Sequence, residues 1–488
     1  MGKLQHKLIN KIINVKDNKT KIVATLGPAS NSPEKIEQLI TCGVNVFRLN
    51  FSHGTHEQHK MNYDNIRNTS KKLNKIIGIL LDLQGPKIRV GKFEKDKIKL
   101  HKGDTFTLSC EDGEFSGNQK RVMVSYKNLY KDVDKGDELL FDDGKLKVVV
   151  TKVLGKEVET KVIVGGKLSN NKGINIPTAD LSVAAMTKKD IEDLEFGAQL
   201  GVDWVALSFV RKHEDLLLAR HYLNLHDSDA KLMAKIEKPG AIKNFDEILD
   251  VADGIMVARG DLGVELSPQE VPMLQKKLIR KSRQAGKPVV TATQMLETMT
   301  ESPVPTRAEA SDVANAIFDG TDAIMLSAET AVGNFPIEAV TTMRTIANSV
   351  ENDSEYIARM QERKMHTEEN TPDAVSSAAC QIASNIKAKV MVCFSSSGAT
   401  ALRVARNRIQ TNVLAISPNI RSCQQLSISW GIHPVLSPDA HNTSDMVSIA
   451  AKVIHHCKAA EPNDRYVLTA GVPFGSSGTT NVIHVERL

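Results

Sequence analysis

KLMAKIEK (231–238) and GIMVARGDLG (254–263) share one pattern, an apolar run that ends in charge and glycine. VFRLNFSHG (46–54) and LDLQGPKIR (81–89) repeat it. A short apolar run without polar alternation reads as a strand buried on both faces, as in a parallel sheet. The charged end marks where the strand leaves the core. Working outward, KIVATLGPAS (21–30), IIGILLDL (76–83), DWVALSFV (203–210), KPVVTATQM (287–295) and DAIMLSAET (322–330) read as strands too. Amphipathic segments such as DEILDV and PMLQKKLIRKSRQAG separate them. The first helix is expected to start at Ser30 or Asn31, with Pro33 and Glu34 in its first turn. Eight such strands predict a (β/α)8 barrel, with its functional groups at the C-terminal strand ends.

The pattern breaks between Gly85 and Pro177. There the pieces are KIKL, DTFTLSC, RVMVSY, ELLFDDGKLKVVVTKV and TKVIVGG, with no long helix and a hairpin signal at Asp143-Gly144. This predicts a small all-β lid domain inserted in the barrel. After a polar helical link at 352–368, KVMVCFSS, NVLAISPN and YVLTAGVP alternate with helical stretches, as in a separate α/β domain with a mostly parallel sheet. The expected division is an N-terminal extension 1–18, a barrel formed by 19–85 and 178–350, a lid 86–177 and a C-terminal α/β regulatory domain 351–488.

The 488 residues are 41% hydrophobic, 25% charged and only 4% aromatic, with a formal net charge of +5. Cores must then rely on aliphatic side chains. A mild positive charge without a basic tail or aromatic interleaving argues against nucleic acid and suits steering of anionic metabolites. Six cysteines without CxxC spacing, and no secretory leader, predict reduced thiols in a cytoplasmic protein. No apolar run reaches membrane-spanning length, so no membrane span is expected.

Glu237 and Asp261 end neighbouring predicted strands, where two carboxylates can share a hard divalent cation; ordinary salt bridges at the barrel rim are the alternative. Lys235 shares a strand face with Glu237 and can neutralise a moving phosphoryl group or an enolate, or simply pair with Glu237. Arg48 and Arg89 offer planar forks for phosphate or carboxylate. Thr293 can hold a water for proton transfer or cap a helix. Asn50, Ser52 and Asp82 are oxygen donors for a monovalent cation, and His53 contacts a nucleotide or stabilises the turn at Gly54. Neither GxGxxG nor GxxxxGK[ST] occurs, so any nucleotide is held by another device.

Read with KIVATLGPAS, VFRLNFSHG, LDLQGPKIRVG, LSFVRK, TATQMLETM, PTRAEASDVANAIFDGTDAIMLSAETAVG and SSSGATA, these segments resemble the pyruvate kinase family over nearly the full length. The resemblance implies phosphoryl transfer from phosphoenolpyruvate to ADP, giving ATP and pyruvate. It implies that Glu237 and Asp261 hold Mg2+, with Mn2+ as a substitute, and that Lys235 is the phosphoryl-transfer lysine. It makes Arg48 a phosphate clamp, gives the substrate carboxylate to the amides of Ala258, Arg259, Gly260 and Asp261 at the start of a short helix, and adds a substrate contact from Thr293. Thr293 lies on the path that protonates the enolate, with the direct donor left open between it and water. Arg89, His53 and Lys172 match positions near the nucleotide or the moving phosphoryl group.

Lys87 in GPKIR stands where many members have glutamate, and with Leu83, Gln84 and Val90 it resembles the K+-independent branch. Its ammonium is expected to replace the cation of Asn50, Ser52, Asp82 and Leu83; the alternative is that those oxygens keep a cation with little effect on rate. Ser395, Ser396, Ser397, Gly398 and Thr400 form a hydroxyl-rich turn at a helix start. The resemblance makes this an effector site. Ser396 in place of a common lysine, and no basic residue in GVPFGSSGTTN (471–481), favour a sugar monophosphate such as glucose 6-phosphate or ribose 5-phosphate, or AMP, over fructose 1,6-bisphosphate. Trp430 packs near this site or in the core. The family pattern also implies a homotetramer. The rival readings are another phosphoenolpyruvate-using barrel enzyme and a non-catalytic metabolite sensor.

Overall fold

The computed structural model describes residues 18–113, 115–179, 181–362, 367–473 and 479–488. The expected N-terminal extension, up to residue 17, and the middle of the 471–481 loop lie outside the described residues. Eight parallel strands close into a barrel: β1 (Lys21–Thr25), β2 (Val46–Asn50), β3 (Gly78–Asp82), β4 (Trp204–Leu207), β5 (Lys231–Ile236), β6 (Gly254–Ala258), β7 (Val289–Ala292) and β8 (Ala323–Leu326). Neighbours run in sequence around the ring, and β8 closes on β1 through pairs such as Ile22 with Ile324.

Side-chain alternation explains both the barrel's packing and its chemistry. Leu232, Ala234 and Ile236 of β5 face the surrounding helices, in one core with Ile279 and Val340. Met233 faces inward, packed with Val46, Leu80, Trp204, Met256 and Val290. Two residues on, the same inward row reaches Lys235. In β2 and β3 it passes from Val46 to Arg48 and from Leu80 to Asp82. The inner layer is thus apolar below and charged at the C-terminal mouth.

Two local expectations need correction. The first helix is Pro33–Cys42, capped by Ser32, whose hydroxyl accepts from the Lys35 amide. Ser30 does not cap it, because its hydroxyl takes the Gly27 amide in the preceding turn. The β6 strand ends at Ala258, and the expected strand residues beyond it begin a helix, Arg259–Glu265.

Between β3 and β4 lies a six-stranded sheet in the order Ile174–Asn175, Glu138–Phe141, Leu146–Leu154, Glu157–Val164, Thr105–Ser109, Arg121–Met123. It has its own core around Phe106, Leu139, Phe141 and Val148. The hairpin turns at Asp142 and Asp143, both at positive φ (50° and 56°), followed by Gly144. These are the left-handed positions that Asp and Gly tolerate best.

The C-terminal unit is a five-stranded sheet ordered Ile432–Leu436, Asn412–Ser417, Val390–Phe394, Arg465–Gly471, Thr480–Arg487, parallel except for the last strand. It docks on the N-terminal end of the barrel. Ile428, fully buried, joins the barrel's inner core and closes it from below. Burying such a side chain contributes roughly 2 kcal/mol. The Trp204 indole donates to the Gln425 carbonyl at 3.0 Å, and Arg408 donates to Asp322 at 3.0 Å and to the Gly320 carbonyl at 2.8 Å. Trp430 is a core residue of this junction, with the Arg408 guanidinium 4.8 Å from its ring centre. Burial pushes the Cys380 and Cys423 thiols up to about 12. Among the described residues, no helix is long and apolar enough to cross a membrane.

Candidate active site

Arg48, Asp82 and Lys235 meet at the C-terminal mouth of the barrel. Arg48 Nε donates to Asp82 Oδ2 at 2.6 Å, and its Nη1 donates to the Thr25 hydroxyl at 3.1 Å. Lys235 Nζ lies 3.2 Å from Asp82 Oδ1 and 3.0 Å from Glu237 Oε1. Burial pulls the Lys235 pKa down, but Asp82 and Glu237 outweigh it and raise it, so the ammonium stays charged. Burial also works against the Asp82 anion, yet Lys235 and Arg48 hold its carboxyl below the usual range.

Glu237 is buried at the top of the same row. Its Oε2 accepts from the Phe209 amide at 2.7 Å. Its Oε1 is ion-paired with the Lys235 ammonium. Burial raises its pKa, Lys235 opposes the rise, and the neighbouring Asp261 adds to it. Two neighbouring, mutually repelling carboxylates fit a divalent cation. Among the described residues, no group of three or more His, Cys, Asp or Glu could hold a metal. The available shell is this pair plus substrate or water oxygens.

Asp261 sits in the first turn of helix Arg259–Glu265. Thr293 faces that turn from the end of β7. Its hydroxyl takes the Gly260 amide at 2.7 Å and donates to the Ala292 carbonyl at 2.6 Å. Thr293 and Gln294 stand at positive φ (68° and 54°). Arg259 steadies this strained bend, donating to the carbonyls of Thr293 (2.8 Å) and Gln294 (2.9 Å) and pairing with Asp312 at 2.7 Å.

The sequence matches the model of the pyruvate kinase barrel domain over residues 17–340 and that of the pyruvate kinase alpha/beta domain over 373–486. The chain belongs to the pyruvate kinase family. It is 44% identical over 470 residues to the pyruvate kinase of Methylorubrum extorquens, covering 96% of this chain and 97% of that one. It is 43% identical over 469 residues to that of Clostridium acetobutylicum, covering 96% and 99%. It is 47% identical over 472 residues to pyruvate kinase 2 of Synechocystis, covering 96% and 79%. The chain is therefore a phosphotransferase, from a family that requires a divalent metal.

The remaining sequence-predicted residues are spread more widely. Asn50 Oδ1 accepts from the Ser52 amide at 3.2 Å, and the Leu83 carbonyl accepts from Ser208 Oγ at 2.7 Å. Lys87 Nζ lies 3.6 Å from Asp261 Oδ1 and 4.0 Å from Asp143 Oδ1 of the lid hairpin. Lys87 thus faces Asp261 and the lid hairpin, while Asp82 pairs with Arg48 and Lys235. His53 is exposed, and its carbonyl meets the His59 ring at 2.9 Å. On the lid side, Arg89 donates to the Asn171 carbonyl at 3.0 Å and Lys172 pairs with Asp142 at 2.6 Å.

In the C-terminal domain, Ser395 and Ser396 are half-buried and Ser397 is exposed. Gly398 opens the following helix at φ 86°, and an added Cβ would sit 2.9 Å from Leu426. Only glycine suits both the dihedral and the space. The Thr400 hydroxyl meets that of Thr480 at 2.7 Å.

Two polar groups of the barrel mouth carried no sequence-based role. Ser208, just past β4, has its hydroxyl 2.6 Å from Lys235 Nζ. Phe209 follows at φ 56°, a left-handed conformation that aims its amide at Glu237. The switch from apolar to polar at Leu207-Ser208 was the available signal.

Proposed function

We propose that the protein transfers the phosphoryl group of phosphoenolpyruvate to ADP, giving ATP and pyruvate, as the family assignment and the relatives' names suggest. The observation that carries this reading is a charged Lys235 ammonium fixed between Asp82 and Glu237 beside Arg48. Phosphoryl transfer needs positioning and fixed positive charge more than covalent chemistry. Arg48, aligned by Asp82, binds the substrate phosphate. Lys235 offsets charge on the phosphoryl group in flight and on the enolate left behind. Backbone amides near Ala258 and Asp261 receive the substrate carboxylate at the helix start. Thr293 orients the proton that reaches the enolate carbon, from its own hydroxyl or from water.

Glu237 and Asp261 would hold Mg2+, or Mn2+ in its place, and the ion supplies electrostatic stabilisation of the substrate anion. Lys87 replaces a required K+. Arg89, His53 and Lys172 serve the nucleotide side, where a second Mg2+ arrives with ADP. The C-terminal residues 395–400 bind a sugar monophosphate or AMP as an activator. The setting is cytoplasmic glycolysis and the assembly a homotetramer. The domain limits read from the sequence go with this scheme.

The test is pyruvate formation from phosphoenolpyruvate and ADP with Mg2+ in K+-free buffer, with and without glucose 6-phosphate. Turnover without K+ supports the reaction and the role of Lys87. A substrate curve shifted to lower concentration by the sugar phosphate supports the effector site. Turnover only with K+ overturns the Lys87 argument, and none in either salt overturns the reaction.

A further inference from the structure

Glu265 ends the helix Arg259–Glu265, with its side chain only 1% exposed. Its Oε1 accepts from Asn175 Nδ2 at 2.7 Å and from the Lys238 ammonium. Its Oε2 is buried without a hydrogen-bond partner among the described residues. The three residues belong to three separate pieces of backbone. Asn175 lies on the lid strand that pairs with Glu138–Phe141. Lys238 directly follows Glu237 at the end of β5. Glu265 comes four residues after Asp261, so both lie on one face of the same short helix. The lid hairpin approaches that helix end as well, since a Cβ added at Gly144 would sit 3.8 Å from Val264.

A buried carboxylate is tolerated while it is both hydrogen-bonded and charge-paired, and losing one partner leaves charge stranded in the interior. The three pieces are therefore held as one unit. We propose that Glu265 is a positioning residue for the reaction. Through Asn175 it fixes the lid to the two backbone segments that carry Glu237 and Asp261, so that lid closure sets the geometry of that carboxylate pair. The proposal rests on the assignment of the pair as cation ligands above.

The experiment uses full-length protein and measures Mn2+ binding to the protein alone, by electron paramagnetic resonance of the free ion, beside kcat and the KM for phosphoenolpyruvate. Asn175→Ala removes only the lid arm and Lys238→Met only the β5 arm, and circular dichroism checks that each is folded. Each is expected to weaken Mn2+ binding about 10-fold, as loss of outer contacts to metal ligands does. The kcat should fall more than KM changes. The double variant should be less impaired than the product of the singles, because both act through one carboxylate. Mn2+ affinity within about twofold of wild type in both folded single variants overturns the proposal. Wild-type protein that binds Mn2+ with this variant dependence but transfers no phosphoryl group would sink the assigned reaction and leave the positioning role standing.

Discussion

Ser208 Oγ lies 2.6 Å from Lys235 Nζ while donating its own hydrogen to the Leu83 carbonyl at 2.7 Å. A hydroxyl committed in this way turns a lone pair toward the ammonium. It aims Lys235 without competing for the charge that Asp82 and Glu237 supply.

Ser208→Ala should therefore lower kcat about 10- to 100-fold, the usual effect of losing one hydrogen bond to a charged group, with KM for phosphoenolpyruvate little altered. Steady-state kinetics checks this, and unchanged kcat in folded protein would dismiss the aiming role.

Lys235→Met should reduce turnover by on the order of 100- to 1,000-fold or more, since the fixed positive charge at the mouth is gone. A quenched-flow assay of ATP formation gives the answer. Near-wild-type turnover would remove Lys235 from the mechanism. The variant also leaves Asp82 with Arg48 as its one close cation among the described residues, so a lowered unfolding midpoint is expected alongside.

Lys87→Glu sets a carboxylate against Asp261 and Asp143, where an ammonium stood 3.6 and 4.0 Å away. Like charges at that range cost on the order of 4 kcal/mol in a partly screened site. Activity in K+-free buffer should drop at least about tenfold and recover with added K+. Rates that are equal with and without K+ would count against the charge-replacement argument.

Lys19 offers a test by pH at the junction below the barrel. Burial lowers its pKa from 10.5 to about 8, against an opposing pull from Glu351. Its ammonium donates to the carbonyls of Ile409 and Gln410. Between about 8 and 10.5 the unfolded chain binds the proton and the folded chain does not, so this group makes stability rise with pH there. The cost of keeping the ammonium buried, about 3 kcal/mol at most, is full below pH 8 and gone above 10.5. The urea midpoint of wild type relative to Lys19→Met should accordingly increase from pH 7.5 to 10. A constant difference would refute the assignment.

Ile428→Ala should destabilise the protein by about 2–5 kcal/mol, the range for truncating a buried aliphatic side chain. Urea unfolding followed by the fluorescence of Trp204 and Trp430 would report it. A loss below about 1 kcal/mol would mean that the barrel floor relaxes to fill the gap.

The barrel and the charges at its mouth were legible in the sequence because both obey a local period. Met233, Lys235 and Glu237 follow a spacing of two, so the step from apolar to charged along one strand can be read from the chain alone. Hydrogen-bond partners obey no such rule. Ser208, Asn175 and Lys238 matter through residues about 25 to 125 positions away, and the sequence does not mark those distances. Lys87 shows the same limit: its charge was evident, but the carboxylates it faces depend on where the lid hairpin settles. The strand end in GIMVARGDLG was misplaced because Arg259 to Glu265 carries no capping signal of its own, and Thr293 supplies the hydroxyl from the next strand.

The seat of Ile428 has a consequence for synthesis. The last barrel strand ends at Leu326, and the residue that seals the barrel emerges from the ribosome about a hundred residues later. At ordinary elongation rates that interval is roughly 5–20 s. During it the nascent sheet can close while its interior stays open at the base, exposing Val46, Leu80 and Met233 to other chains. Chaperone demand should therefore peak after the catalytic portion has been translated and end when the final domain docks.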